Sequence, residues 1–221
     1  MEFVQEAIGF ILHIDAYLEV MVSQIGLWVY AILFLVVFFE TGIVVTPFLP
    51  GDSLLFASGA IAAHSELSVG LLIMVFLSAA ILGDAVNYMI GKYFGEKLVT
   101  RYPRLIKPEY IERTRNFFAR HGGKTIVLAR FVPVVRTIAP FLAGSGEMKY
   151  TRFLKYNIVG ALTWVFLLVP AGFYFANAQF VKDNFSVVLL AIVGISLLPA
   201  FVEIVRSRYS AGGDTGNGSA L

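Results

Sequence analysis

The segment Thr46-Pro47-Phe48-Leu49-Pro50-Gly51-Asp52-Ser53-Leu54 sets two prolines, a glycine and an acid inside an apolar run. Gly51-Asp52-Ser53-Leu54 is also the tetrapeptide that opens a large group of serine esterases, which makes Ser53 a candidate nucleophile. A nucleophilic serine needs a base held by a third group. The chain has three scattered histidines, His13, His64 and His121, and none stands in an Asp-x-x-His pattern. The competing reading is an N-cap: after Pro50-Gly51, the side-chain oxygen of Asp52 or Ser53 accepts from free N–H groups of the next helix. Capping is favoured over catalysis, and the chain is not expected to be an enzyme.

Four further ionisable residues sit in apolar surroundings. Glu40 has apolar sequence on both sides, and a charge at bilayer depth costs roughly 2.5–3.5 kcal/mol on insertion scales unless it pairs or faces a watery cavity. It either forms a structural ion pair with an arginine or exchanges a proton. Arg130 and Arg136 flank Pro133, so a helix break there lets both guanidiniums converge. Arginine stays charged and grips phosphate or carboxylate in a bidentate manner. The two arginines either bind such a group or neutralise Glu40 and Asp52, and the residues alone do not decide. Asp84 is a secondary candidate, as a proton relay or, preferably, as a partner of Asn87 and Tyr88. No histidine or cysteine cluster offers a metal site, and no cofactor is implied.

These residues need elements to hold them. With 58% hydrophobic and 14% charged residues and a mean hydropathy of +0.78, the chain lacks the polar residues to cover a water-soluble globule. The fold expected is an all-α polytopic membrane protein. There is no cysteine, hence no disulfide or thiolate chemistry. The first ten residues carry two acids and no basic stretch, so no cleaved signal peptide is read there. Residues 1–91 contain eight acids and no Lys or Arg, whereas nine of the 17 basic residues fall between Lys92 and Lys124. That asymmetry marks 92–124 as cytoplasmic rather than as a nucleic-acid patch.

A single membrane domain is expected over 1–209. Residues 1–23 read as an interfacial amphipathic helix. Residues 30–63, broken at Pro47, Pro50 and Gly51, read as a re-entrant helical hairpin, and 68–91 as a full transmembrane helix. Over 108–121 an apolar stripe of Tyr110, Ile111, Thr114, Phe117, Phe118 and His121 opposes Arg113, Arg115 and Arg120, predicting an amphipathic helix lying on the cytoplasmic leaflet. Residues 125–147, broken at Pro133 and Pro140, read as a second re-entrant hairpin. Two crossings follow, 156–176 and 184–205, then a disordered tail over 210–221. Trp28 and Tyr30 are expected at the interface and Trp164 in packing. Charge and parity place the C-terminus inside and orient the two hairpins oppositely, as an inverted repeat whose half-helix ends can supply partial charges to a substrate.

The stretches FFETGIVVTPFLPGDSLLFASGA, GDAVNYMIGKYFG and HGGKTIVLARFVPVVRTIAPFLAGSGEMKYTRFLKYNIVGALTW strongly resemble the bacterial DedA family, whose shared domain is also called SNARE-associated or VTT. The resemblance covers roughly residues 10–205 and rests on the combined pattern E…PFLPGD…RFxPxxR…AG…M…N…GAxxW. One departure is Gly172-Phe173-Tyr174-Phe175-Ala176, where the family often reads Gly-Tyr-x-x-Gly. The resemblance implies a multi-pass protein of the bacterial inner membrane, with two opposed re-entrant hairpins. It also implies a link to envelope integrity, to the proton-motive force and to resistance against cationic peptides. Members are implicated in flipping lipid phosphates, notably undecaprenyl phosphate, and others in moving phosphatidylethanolamine. The family's essential acidic and basic residues correspond here to Glu40, Asp52, Arg130 and Arg136.

The expected function is a lipid transporter returning undecaprenyl phosphate from the outer to the inner leaflet for carrier-lipid recycling. Arg130 and Arg136 would bind the phosphate, while Glu40 and Asp52 would exchange protons and compete for them. The expected partners are membrane lipids and protons, with no nucleic acid, and glycine-rich spans would permit a homodimer. The alternatives are a phosphatidylethanolamine or general phospholipid scramblase and a proton-coupled exporter of small cationic solutes.

Overall fold

The computed structural model describes residues 26–43, 51–101, 108–179 and 181, and every regular element among them is helical. The expected helices over 1–23 and 184–205, the tail over 210–221, and Pro47 and Pro50 lie outside the described residues. In chain order the elements are α1 (Trp28–Gly42), α2 (Gly51–Ala62), α3 (Val69–Arg101), α4 (Pro108–His121), a 3-10 turn (Gly122–Lys124), α5 (Thr125–Ala129), α6 (Pro133–Leu142), a π turn (Ala143–Glu147) and α7 (Tyr150–Ala176).

The lengths sort into two classes. At 1.5 Å per residue, α1 and α2 reach only about 22 and 18 Å, short of the ~30 Å hydrocarbon layer. Within α3 and α7, Val69–Gly95 and Tyr150–Ala176, 27 residues each, are long and apolar enough to cross. Their outward faces are apolar too: Met74 is 69% exposed, and Leu71, Leu82 and Val86 of α3 and Val159, Phe166 and Leu167 of α7 also point outward. Helices apolar on the inside and the outside fit a hydrocarbon solvent and not water. The chain is a helical membrane protein.

Local chemistry sets the ends. Ser68 caps α3: its Oγ accepts from Leu71 N–H at 3.4 Å, and its own N–H donates to Tyr30 Oη at 2.8 Å, tying the start of α1 to the start of α3. Tyr30 is thus a tie between helices, while Trp28 is largely exposed, as an interface anchor would be. Pro133 opens α6 behind Val132, which is extended (φ −123, ψ 103) as a residue before proline prefers to be. Pro140 was expected to break the second hairpin. Instead it is carried inside α6, which continues to Leu142 and then loosens into the π turn before Gly146 (φ +128) ends it. A proline removes one backbone donor and does not by itself force a break when flanking packing holds the helix.

Packing follows an exchange of arms. The first helix of each pair lies on the long helix that follows it, α1 on α3 and α5 on α7. The second lies on the other long helix, α2 on α7 and α6 with its π turn on α3. Both exchanged contacts are made by glycines at reciprocal positions. A methyl group at Gly59 would collide with Val169 O, and one at Gly172 with Phe56 O. A methyl at Gly91 would collide with Phe141 O, and one at Gly144 with Tyr88 O. Only glycine permits backbones to approach this closely.

Part of the apolar stripe of α4 packs against protein. Ile111 and Phe118 are buried in a core with Val135, Ile138 and Phe141 of α6, Thr114 is buried beside them, and Arg113, Arg120 and His121 face outward. α6 presents an apolar face of its own, which this part of α4 covers.

Two apolar cores result, one around Leu55, Phe76, Val165 and Val169, the other around Ile126, Phe141 and Phe153. Between them, α3 contributes Asp84 and Asn87 and α7 contributes Asn157, all buried. The chemistry lies in this polar layer.

Candidate functional site

Glu40 lies near the C-terminus of α1 and is wholly buried. Its Oε1 accepts the backbone N–H of Gly51, the first residue of α2, at 3.2 Å. Glu40 therefore serves the N-terminus of α2, a helix that begins eleven residues further along the chain. Here Gly51 is required: a side chain would overlap the Glu40 carboxylate. Asp52 stands in the first turn of α2, inside the helix rather than at its cap, so the N-cap expectation does not hold for it. Two carboxylates thus crowd the positive end of α2, where the helix dipole favours them.

Arg136 of α6 joins both acids. Its Nη2 bonds Glu40 Oε1, and its Nη1 bonds Asp52 Oδ1 at 2.8 Å. Arg130, between α5 and α6, turns elsewhere: its Nη2 bonds Asp84 Oδ2 at 2.5 Å and Asn157 Oδ1 at 2.6 Å. Asp84 was expected to bond Asn87 and Tyr88; its partner is Arg130. Asn87 Nδ2 donates instead to Thr41 O at 3.0 Å and Thr137 O at 2.9 Å, and Tyr88 Oη donates to Met148 O at 2.8 Å. Asn87 thereby serves a carbonyl in the last turn of α1, one that the helix itself leaves free.

The four residues singled out from the sequence, with Asp84, form one connected polar layer, buried except for Asp52, whose side chain is half exposed. Ser53 lies in the same first turn as Asp52. Nine residues of helical rise, about 14 Å, carry the chain from Ser53 to the end of α2 at Ala62, and His64 lies beyond that end, its Nε2 contacting Ala176 O at 3.2 Å. No serine triad is assembled among the described residues.

Sequence reasoning missed Trp164, Asn157 and Asn87. Trp164 was assigned to packing, yet its Nε1 donates to Asp52 Oδ1 at 2.7 Å. The guanidinium carbons of Arg130 and Arg136 lie 5.7 and 5.5 Å from its ring centre, within reach of cation–π attraction. A signal was present: Asn157 and Trp164 stand two helical turns apart in an otherwise apolar span, on the same face.

The layer is incompletely paired. Glu40 Oε2, Asn87 Oδ1, Arg130 Nε and Nη1 and Arg136 Nε are buried without a hydrogen-bond partner among the described residues. Such groups are costly in a low-dielectric interior.

The VTT domain model matches residues 49–174. The protein DedA of Escherichia coli (strain K12) is 50% identical over 214 residues, covering 96% of this chain and 98% of that protein. A membrane protein, Rv0364, of Mycobacterium tuberculosis (strain H37Rv) is 40% identical over 78% of this chain and 77% of its own length. The inner membrane protein YghB of Escherichia coli (strain K12) is 33% identical over 82% of this chain and 86% of its own length. No solved structure matches the chain.

Proposed function

The chain belongs to the VTT-domain, or DedA, family of membrane proteins, and from that premise we propose that it moves a phosphate-bearing lipid, undecaprenyl phosphate foremost, from the outer to the inner leaflet. The observation that carries this reading is Arg136, a buried guanidinium held between Glu40 and Asp52 at the start of a short helix. A guanidinium that bonds two carboxylates can exchange one of them for a phosphate without leaving its place, because both anions offer the same bidentate face. Three carboxylates, Glu40, Asp52 and Asp84, face two guanidiniums in the layer. One carboxylate is in excess, and it is the natural carrier of a proton when phosphate enters or leaves. That supports a link to the proton-motive force.

Two oppositely oriented re-entrant hairpins in an inverted repeat suit this task. The half-span lengths of α1 and α2, the exchanged arms and the twice-used glycine pairing support that architecture. In this reading the polar layer lies near the bilayer midplane, with half-helix ends directed at the ligand. The basic residues between Lys92 and Lys124 support a cytoplasmic face there, and Arg206 and Arg208 support a C-terminus on the same side. The protein is then a multi-pass protein of the inner membrane whose substrate tail stays in lipid.

The test is leaflet exchange of labelled undecaprenyl phosphate in proteoliposomes, with and without a pH gradient, for the wild type and Arg136→Ala. Exchange by the wild type that the variant loses is the expected result. A folded wild type that exchanges phosphatidylethanolamine and not the prenyl phosphate would move the assignment to phospholipids. One that exchanges neither would overturn it.

A further inference from the structure

Asp52 Oδ1 rests in a slot made by two donors, Arg136 Nη1 at 2.8 Å and Trp164 Nε1 at 2.7 Å. The donors and the acceptor differ in their surroundings. Trp164 is 1% exposed and the Arg136 side chain 6%, whereas the Asp52 side chain is 54% exposed. The slot is thus fixed in the core, and the oxygen that fills it arrives on an open arm. Two N–H groups closing on one anionic oxygen at these distances match the way charged acceptors, phosphate included, are held.

An indole N–H donates and never accepts. When Asp52 leaves, it is stranded in an apolar core unless another acceptor replaces the carboxylate, and a stranded buried donor is costly. The face of the same ring lies against both guanidiniums, so the ring positions two cations while its edge presents a third donor beside them.

We infer that Trp164 is a direct ligand of the substrate phosphate, its Nε1 taking one phosphate oxygen together with Arg136 Nη1, and that Asp52 is a tethered occupant of that slot which the phosphate displaces. The inference rests on the phosphate-lipid reading above and assigns it a residue that carries no charge.

The experiment uses the full chain in detergent with Trp28→Phe, which leaves Trp164 as the sole tryptophan of the two. Dodecyl phosphate is titrated against Trp164 emission, with inorganic phosphate as the competing arm. A saturable emission change is expected. By calorimetry, Asp52→Asn should tighten dodecyl phosphate about 10-fold, and Trp164→Phe, which keeps an aromatic face under the arginines, should weaken it about 10-fold, about 1.4 kcal/mol. Trp164→Phe binding as tightly as the wild type overturns the inference and leaves the phosphate reading intact. Absence of binding to both the wild type and Asp52→Asn overturns both. Should Trp164→Phe fail to fold, the single-tryptophan protein decides: phosphate that binds without altering Trp164 emission refutes the contact. Inorganic phosphate competing equally points to the free ion as ligand, and its failure to compete points to the lipid headgroup. Trp164 keeps its role in either case.

Discussion

Arg136 of α6 and Asp52 of α2 meet at 2.8 Å across the line where two sets of helices join. One set is α3 with α1 and α6; the other is α7 with α2 and α5. The second ion pair, Arg130 with Asp84, crosses the same line in the opposite sense, its arginine on the α7 side and its acid on the α3 side. Glu40 accepting from Gly51 N–H is a third crossing. Polar contacts thus tie the two sets together as well as bracing each one internally, whereas the closest glycine contacts of the arms lie within each set.

Arg136→Lys tests whether the fork geometry or the charge matters. A lysine ammonium is a point charge that cannot hold Glu40 and Asp52 in one planar, bidentate arrangement. Losing one charge-assisted hydrogen bond, about 1.5–3 kcal/mol, should lower leaflet exchange about 10- to 100-fold in a protein that still elutes as a folded species. Exchange at the wild-type rate would show that charge alone suffices.

Arg130 behaves differently, because its acid is buried with it. Arg130→Ala strands Asp84 in the core and should destabilise the fold by about 3–5 kcal/mol. The double variant Arg130→Met with Asp84→Leu should recover most of that loss, since a buried pair replaced by apolar groups is often neutral. Thermal midpoints of Arg130→Met, Asp84→Leu and the double variant in detergent give the coupling. Simple additivity would mean that the two side chains do not act as a pair.

The glycines make a separate prediction. Gly91→Ala and Gly172→Ala each place a methyl group against a backbone carbonyl of the exchanged arm, a collision the backbone can relieve only by separating the helices. Overpacking of this kind costs about 1–3 kcal/mol. Gly70→Ala is the control: it meets nothing nearer than Ser68 Oγ at 3.8 Å, and should be neutral or slightly stabilising. Equal effects at all three positions would mean that the carbonyl contacts are not what sets the loss, since propensity alone favours alanine in a helix.

The residues legible in the sequence were those whose type is expensive where they stand. Glu40, Asp52, Arg130 and Arg136 stand out because a charge in an apolar run must be matched by something. Which arginine meets which acid was not legible. Arg136 reaches partners 84 and 96 residues away in sequence, and such pairing is set by how the arms exchange, for which no local pattern codes. Trp164 and Asn157 were hidden for the opposite reason, since neutral residues raise no alarm in a span. Pro140 misled because a proline reads as a stop, although α4 and α3 hold α6 together across it. The short α2 was legible, because Pro47 and Pro50 precede it, Gly51 opens it and His64-Ser65-Glu66 follows it.

The last prediction concerns motion. If phosphate displaces Asp52 from Arg136, the polar contacts between the two helix sets weaken while the glycine contacts within each set persist, so the sets should move as bodies. The chain has no cysteine, so spin labels can be placed on exposed lipid-facing positions without background. Labels at Leu35 of α1 and Met74 of α3 report within one set, and labels at Met74 and Phe166 of α7 report between sets. Double electron–electron resonance in liposomes should show the Met74–Phe166 distance distribution shifting with dodecyl phosphate, or in Asp52→Asn without ligand, while Leu35–Met74 stays fixed. A shift in both pairs would mean that α1 and α3 do not form one body. A shift in neither would place substrate passage in local side-chain exchange, with the glycine contacts serving stability alone.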